Sequence, residues 1–234
     1  LDTPIVITHG KGLTLTQRMT KRTMDVVLCL IAMVPASVIM LITAIFIKLD
    51  DGGPVFFRQE RVTRNGKHFN VIKFRSMIVD AEKYNKPIPA VDQDPRITKV
   101  GRIIRATRID ELPQLFNILR GDMSIVGPRP ERVEHVEKYS REIPEFIYRE
   151  KVKGGLTGYA QIYGRYNTSA YDKLRLDLMY IEDYSLVLDI KMIFRTIRIL
   201  FQKDSTEGFD KAEELEQLKE DEVEKIRKAL DDDE

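Results

Sequence analysis

With 234 residues the chain has room for one core, or for one domain with extensions. Its formal charge of +1 conceals an asymmetry, because residues 205–234 hold thirteen acidic and five basic side chains, which leaves residues 1–204 with nine positive charges in excess. That excess suits anionic partners such as nucleotides or lipid headgroups, and the single cysteine, Cys29, excludes an internal disulfide and suits a reducing compartment.

No cleavable signal peptide is visible, because the apolar run starts only at Met24 and lacks a small-residue cleavage site. Residues 21–49 form the strongest compositional feature. Between Val26 and Ile47 there is no charge, and ~22 helical residues reach about 33 Å, enough to enter the full hydrocarbon depth. Pro35 lies mid-run and removes a backbone donor, and Ser37 and Thr43 can satisfy groups freed by a break. Lys11, Arg18, Lys21 and Arg22 lie upstream; Lys48, Arg58, Arg61, Arg64 and Lys67 lie downstream. Both flanks are therefore positive, the mark of the cytoplasmic side. A helix broken at Pro35 that enters and leaves by one leaflet satisfies both flanks, and is preferred to a kinked span.

Residues 50–204 read as the main folded domain. "PVFFRQERVTRNGKHFNVIKFRSM" predicts a hairpin, with two strand-like runs flanking Asn65-Gly66. "VDAEKYNK" predicts a short helix ended by Pro87 and Pro89. From Pro95 to Ile109 the chain carries Arg96, Lys99, Arg102, Arg105 and Arg108 without an acid, with Ile97, Val100, Ile103 and Ile104 between them. That spacing predicts an amphipathic helix suited to the headgroup layer of an anionic membrane. "ELPQLFNILRG" predicts a continuing helix with Leu112, Leu115, Phe116 and Leu119 on one face and Gly121 as its stop. Residues 131–150 read as a helix broken at Pro144, and "GGLTGYAQIYGR" as a glycine-rich loop. Residues 171–202 are helical in period and end in "DIKMIFRTIRILFQK", a second basic amphipathic stretch. Residues 205–234 read as an acidic helical or disordered tail. The class expected is a helix-rich α+β protein with a small hairpin, interfacial helices and a monotopic membrane anchor.

The chemistry starts at Asp110-Glu111, which close the basic ramp. A carboxylate can ligate Mg²⁺ beside substrate phosphates, or act as a nucleophile that forms an acyl phosphate. Either role needs nearby cations to screen phosphate charge. In "GDMSIVGPRP", Pro128 and Pro130 bracket Arg129 and fix its backbone, so its planar fork is suited to phosphate or a base edge.

"KFRSM", "DPRITKVGRIIRATRIDELPQLFNILRGDMSIVGPRP", "GGLTGYAQIYGR" and "LDLMYIEDYSLVLDIKMI" resemble, in that order, the bacterial sugar transferase family. Its members are monotopic polyprenyl-phosphate phosphoglycosyl transferases, and the likeness covers about residues 20–202. It implies that the apolar helix is re-entrant. It also implies that Asp110 attacks the sugar-linked phosphate of a UDP-sugar and expels UMP, and that polyprenyl (undecaprenyl) phosphate then takes the phosphosugar. Glycan assembly for capsule, exopolysaccharide or O-antigen would start there, at the cytoplasmic face of a bacterial inner membrane. Under the same resemblance Asp110 is nucleophile and Mg²⁺ ligand, and Glu111 is its supporting acid. Arg129 with Pro128 and Pro130 becomes the nucleotide contact, Lys73 and Arg75 phosphate ligands, and Arg105 a lipid-phosphate ligand. Asp189 matches a further family acid, structural or metal-related. Residues 1–20 resemble the linker that joins the catalytic part of larger members to an upstream domain, and such a domain is compatible with a homodimer. Tyr159 stands where many members carry Trp. The alternative is a non-catalytic scaffold that binds anionic lipid. Nucleic acid is not expected as a partner, given the embedded apolar segment and few stacking aromatics.

Overall fold

The structure is a computed structural model that describes residues 12–79, 81, 94–164 and 168–200. The short helix expected in "VDAEKYNK" and the acidic tail lie outside the described residues.

Helix α1 (Leu15–Asp51) starts in a capping box, in which Thr14 Oγ1 accepts from Gln17 N and the Gln17 side chain accepts from Thr14 N. It ends at Gly52, whose φ of +70° is open to glycine at no steric cost. The helix is continuous through Pro35, and Ser37 donates to the Val34 carbonyl at 2.8 Å just beyond it. Its apolar residues divide by face. Cys29, Ala36, Met40 and Ile47 are buried, whereas Ile31, Val34, Val38, Leu41 and Phe46 are exposed.

The hairpin forms as expected. Strand β1 (Phe56–Val62) pairs antiparallel with β2 (His68–Phe74), from Phe56 opposite Phe74 to Val62 opposite His68. Asn65 and Gly66 both take positive φ, 59° and 68°, as a primed turn requires. Helix α2 (Lys99–Ala106) is capped by the Thr98 hydroxyl, which accepts from Gly101 N. Gly101 is where α2 crosses the strand-like segment after β2, since a Cβ there would meet the Ser76 carbonyl oxygen at 2.0 Å.

The next helix differs from expectation. Arg108 takes φ 57°, residues 109–111 form a single 3₁₀ turn, and α3 (Gln114–Arg120) begins only after Pro113. Leu115, Asn117 and Ile118 of α3 are buried and Leu112 and Leu119 pack against the same core, so the predicted face meets it except at Phe116, which is exposed. Gly121 stops it at φ 92°. Strand β3 (Ser124–Val126) leads through Pro128–Pro130 to α4 (Val133–Glu142), and a 3₁₀ segment follows from Pro144 to Lys151. The glycine-rich stretch is no loop. It forms β4 (Gly155–Thr157), parallel to β3, then α5 (Tyr159–Tyr163). A Cβ on Gly155 would lie 2.1 Å from Gly127 N, so the glycines let two backbones touch. Helices α6 (Ala170–Glu182) and α7 (Leu186–Leu200) complete the described chain.

The largest apolar cluster joins α1 to the hairpin, α2 and α3 through Cys29, Met40, Ile47, Phe74, Ile104 and Ile118. Polar groups fix the same docking. Arg22 donates to the Ile118 and Leu119 carbonyls at 2.5 and 2.7 Å, closing the C-terminal end of α3. The buried Asp25 carboxylate accepts from Ser124 Oγ and Ile125 N, both at 3.0 Å. Lys21 Nζ donates to Asp189 Oδ2 at 2.5 Å. At the far end of α1, Asp51 pairs with Arg75. Both ends of the apolar helix are thus bonded to one folded body.

Candidate active site

The 3₁₀ turn carrying Asp110 and Glu111 is set by the backbone just before it. Arg108 occupies the left-handed region, costly for a side chain with a Cβ, and so reverses the chain after α2. Amide-to-carbonyl bonds from Glu111 N to Arg108 O and from Leu112 N to Ile109 O, both 3.1 Å, then close the turn. Its two carboxyls face different surroundings. Glu111 Oε1 accepts from Lys73 Nζ at 2.9 Å and from Arg129 Nη2 at 3.2 Å. Burial alone would raise the Glu111 carboxyl, but Arg129 and Lys73 outweigh it and hold the group at about 2. Among the described residues no hydrogen bond or ion pair occupies the Asp110 carboxyl. Burial pushes it above its ordinary value, opposed by Lys73, reinforced by Glu111, and opposed again by Arg105 and Arg108.

The pair therefore divides roles by environment: one carboxylate fixed as a charge, its neighbour open and more basic than usual. Lys73 comes from β2, and burial lowers its ammonium against the pull of Glu111. Beside Lys73, the side chain of Asn117 ties α3 to the same strand, its Oδ1 accepting from Ile72 N at 2.9 Å and its Nδ2 donating to Asn70 O at 2.8 Å. Arg129 arrives from the Pro-Arg-Pro turn with its side chain 41% exposed, so it reaches Glu111 and also meets solvent. A small cleft behind it is lined by Pro128, Pro130, Glu131, Arg149 and Val152 among others.

Of the expected site residues, Asp110, Glu111, Lys73 and Arg129 with its two prolines come together, and Arg105 on α2 is near enough to act on Asp110. Arg75 and Asp189 do not join them. Arg75 spends its guanidinium on the Asp51 carboxylate and on the carbonyls of Pro54 and Met77, so it fastens the end of α1 to the strand-like segment instead of facing a phosphate. Asp189 is wholly buried, bonded to Lys21 and, at 2.8 Å, to the Tyr180 hydroxyl, which gives it a structural place under α1. Pro35 and Ser37 lie in α1. Sequence reasoning missed Asn117, Arg61 and Arg149. An asparagine in an apolar period was the available signal for Asn117; Arg61 and Arg149 lie outside the quoted family motifs and carried none.

Among the described residues no three His, Cys, Asp or Glu side chains gather as a metal cage. The donor set fits Mg²⁺ in its usual substrate-assisted form, with one open carboxylate, Asp110, and the remaining ligands from phosphate and water.

An unpaired carboxyl beside cations that hold its neighbour ionised, on a body joined to a long apolar helix, is an arrangement suited to phosphate chemistry beside a lipid phase. The chain belongs to the bacterial sugar transferase family, whose model matches residues 16–203. It is 45% identical over 183 residues to a UDP-N-acetylgalactosamine-undecaprenyl-phosphate N-acetylgalactosaminephosphotransferase of Aeromonas hydrophila, covering 77% of this chain and 43% of that protein. It is 43% identical over 199 residues to a UDP-glucose:undecaprenyl-phosphate glucose-1-phosphate transferase of Escherichia coli K12, covering 83% and 43%. A Caulobacter vibrioides protein with the same description is 42% identical over 192 residues, covering 79% of this chain and 71% of its own length. The chain thus spans less than half the length of the first two relatives.

Proposed function

We propose that the chain transfers sugar-1-phosphate from a UDP-sugar to undecaprenyl phosphate, through a phosphosugar ester on Asp110, to begin polysaccharide assembly at the cytoplasmic face of a bacterial inner membrane. The observation that carries this is the open Asp110 carboxyl beside a Glu111 that Lys73 and Arg129 hold ionised. In the first step an Asp110 oxygen attacks the phosphorus that bears the sugar. The bond from that phosphorus to the bridging oxygen breaks, and UMP leaves with the oxygen and the electron pair. In the second step an oxygen of undecaprenyl phosphate attacks the same phosphorus and Asp110 departs as carboxylate. Glu111 takes no part in bond making; its charge keeps Lys73 and Arg129 in place, and their remaining donors face the phosphates. Mg²⁺ bound by Asp110 and the diphosphate would screen charge between nucleophile and phosphate.

The second substrate is a lipid, and the anchor suits it. A helix of 37 residues is about 55 Å long if straight, yet Lys21 near its start and Asp51 at its end both bond to the same body. A body on one side of a bilayer cannot hold both ends of a helix that crosses ~30 Å of hydrocarbon. This favours a re-entrant helix bent at Pro35, with both positive flanks on one side. Helix α7 offers a second lipid contact, through exposed Val187, Ile190, Phe194 and Ile197.

The test is incubation of the lipid-reconstituted chain with Mg²⁺, undecaprenyl phosphate and UDP-glucose, UDP-galactose or UDP-N-acetylgalactosamine. UMP release that Asp110→Asn abolishes supports the proposal. Release of UDP, or lipid binding with no nucleotide product, overturns it.

A further inference from the structure

Four consecutive carbonyls around Arg129 are each held by a donor from elsewhere in the fold. Pro128 O accepts from Gly155 N at 2.9 Å, and Glu131 O accepts from Val62 N at 3.0 Å. The two between them are taken by side chains: Arg149 Nη2 donates to Arg129 O at 2.9 Å, and Arg61 Nη1 donates to Pro130 O at 3.1 Å. With a proline on either side, the Arg129 backbone keeps almost no freedom. Arg149 is itself fixed. It is buried, it donates from Nε and Nη2 to Asp177 Oδ2 at 3.1 and 2.8 Å, and its guanidinium stands 4.8 Å from the Phe146 ring centre. Asp177 is buried on α6 and makes no contact with the Asp110–Glu111 turn among the hydrogen bonds and ion pairs of the described residues.

A buried ion pair is poor evidence for stability, because well-packed apolar residues often replace one at no cost. A pair whose cation also donates to the one carbonyl behind a substrate-facing arginine has a more specific use. We propose that Arg149, anchored by Asp177, is a positioning residue for Arg129: it sets the backbone from which Arg129 reaches Glu111 and the nucleotide. Arg61 braces the following carbonyl from the hairpin side, so Arg129 is held between the hairpin and α6. This inference rests on the reading of Arg129 as the nucleotide contact.

The experiment compares wild type, Arg149→Met/Asp177→Leu and Arg129→Ala in lipid, with UDP-glucose or the panel sugar turned over fastest. UMP release gives kcat and the separate KM values for UDP-sugar and undecaprenyl phosphate. The double variant removes both charges and leaves an apolar pair, chosen to keep the fold while Arg129 O loses its donor. The proposal expects its KM for UDP-sugar to rise on the order of tenfold, short of the hundredfold that a 1 Å misplacement can cost. Its KM for undecaprenyl phosphate should stay within about twofold of wild type, since loss of one backbone donor is not felt at a second substrate's site. If the double variant does not fold, Arg149→Lys replaces it. That change keeps the charge opposite Asp177 but loses the fork, and the same KM should rise while the lipid KM holds. A fall in kcat with both KM values unchanged is the signature of a lower folded fraction and overturns the proposal. A raised UDP-sugar KM in Arg129→Ala, without one in the double variant, overturns the brace alone. An unchanged UDP-sugar KM in Arg129→Ala overturns the nucleotide role of Arg129, and the brace with it.

Discussion

Glu111→Gln isolates the electrostatics of the site. The Glu111 carboxyl sits at about 2 against an ordinary 4.5, held there by Arg129 and Lys73 against the cost of burial. That depression corresponds to about 3 kcal/mol of preference for the charged form. Glutamine keeps the shape and one acceptor oxygen, so the expected loss is about 2–3 kcal/mol, a fall in Tm of about 4–12 °C for a chain of this size. The pH dependence has a definite sign. A folded value below the unfolded one contributes stability that is fully present above about 4.5 and disappears as pH falls through about 2. The gap in Tm between wild type and variant should therefore stay constant from pH 8 to pH 5 and narrow only below about pH 4. The same substitution removes a negative neighbour from Asp110 and releases Lys73 toward it, so the acid limb of residual UMP release should move to lower pH. Thermal unfolding across pH and a pH–rate profile check both statements. A variant as stable as wild type at pH 7, a gap that closes between pH 7 and 5, or an acid limb moved upward would refute the reasoning.

Three further outcomes follow from the packing. Asn117→Ala leaves the Ile72 amide and the Asn70 carbonyl without partners inside the core, and should cost about 2–4 kcal/mol in denaturant unfolding while slowing UMP release through Lys73 on the same strand. Lys21→Met leaves Asp189 as a buried charge without its cation and should destabilise by about 3–5 kcal/mol, again read by unfolding. Phe194→Glu, at a side chain 68% exposed on α7, should leave Tm within about 2 °C but weaken co-sedimentation with anionic vesicles.

What could be read from the sequence was whatever local chemistry dictates. Asn65-Gly66 specified its own turn, and Gly121 and Pro144 their own breaks, because each acts on the backbone within a few residues. The acid pair and its cations were legible as types in a pattern. What stayed hidden was set by neighbours far along the chain. The three-residue strands β3 and β4 are too short to show a period, and Gly155 is glycine because another backbone presses on it. Arg75 looks like a free cation in "KFRSM" until Asp51, 24 residues earlier, folds against it. Leu112, Leu115 and Leu119 meet the core as their spacing indicates, but Phe116 stays exposed, and neither the break at Pro113 nor the left-handed turn at Arg108 leaves a trace in hydrophobic spacing.

The account is tested most directly by looking for the ester on Asp110. The chain is mixed with Mg²⁺ and UDP-sugar without undecaprenyl phosphate, quenched in acid, digested with trypsin and examined by mass spectrometry. The account predicts one added sugar phosphate on the peptide covering residues 109–120, formed in step with UMP and discharged when undecaprenyl phosphate is supplied. UMP produced at full rate with that peptide unmodified would contradict it.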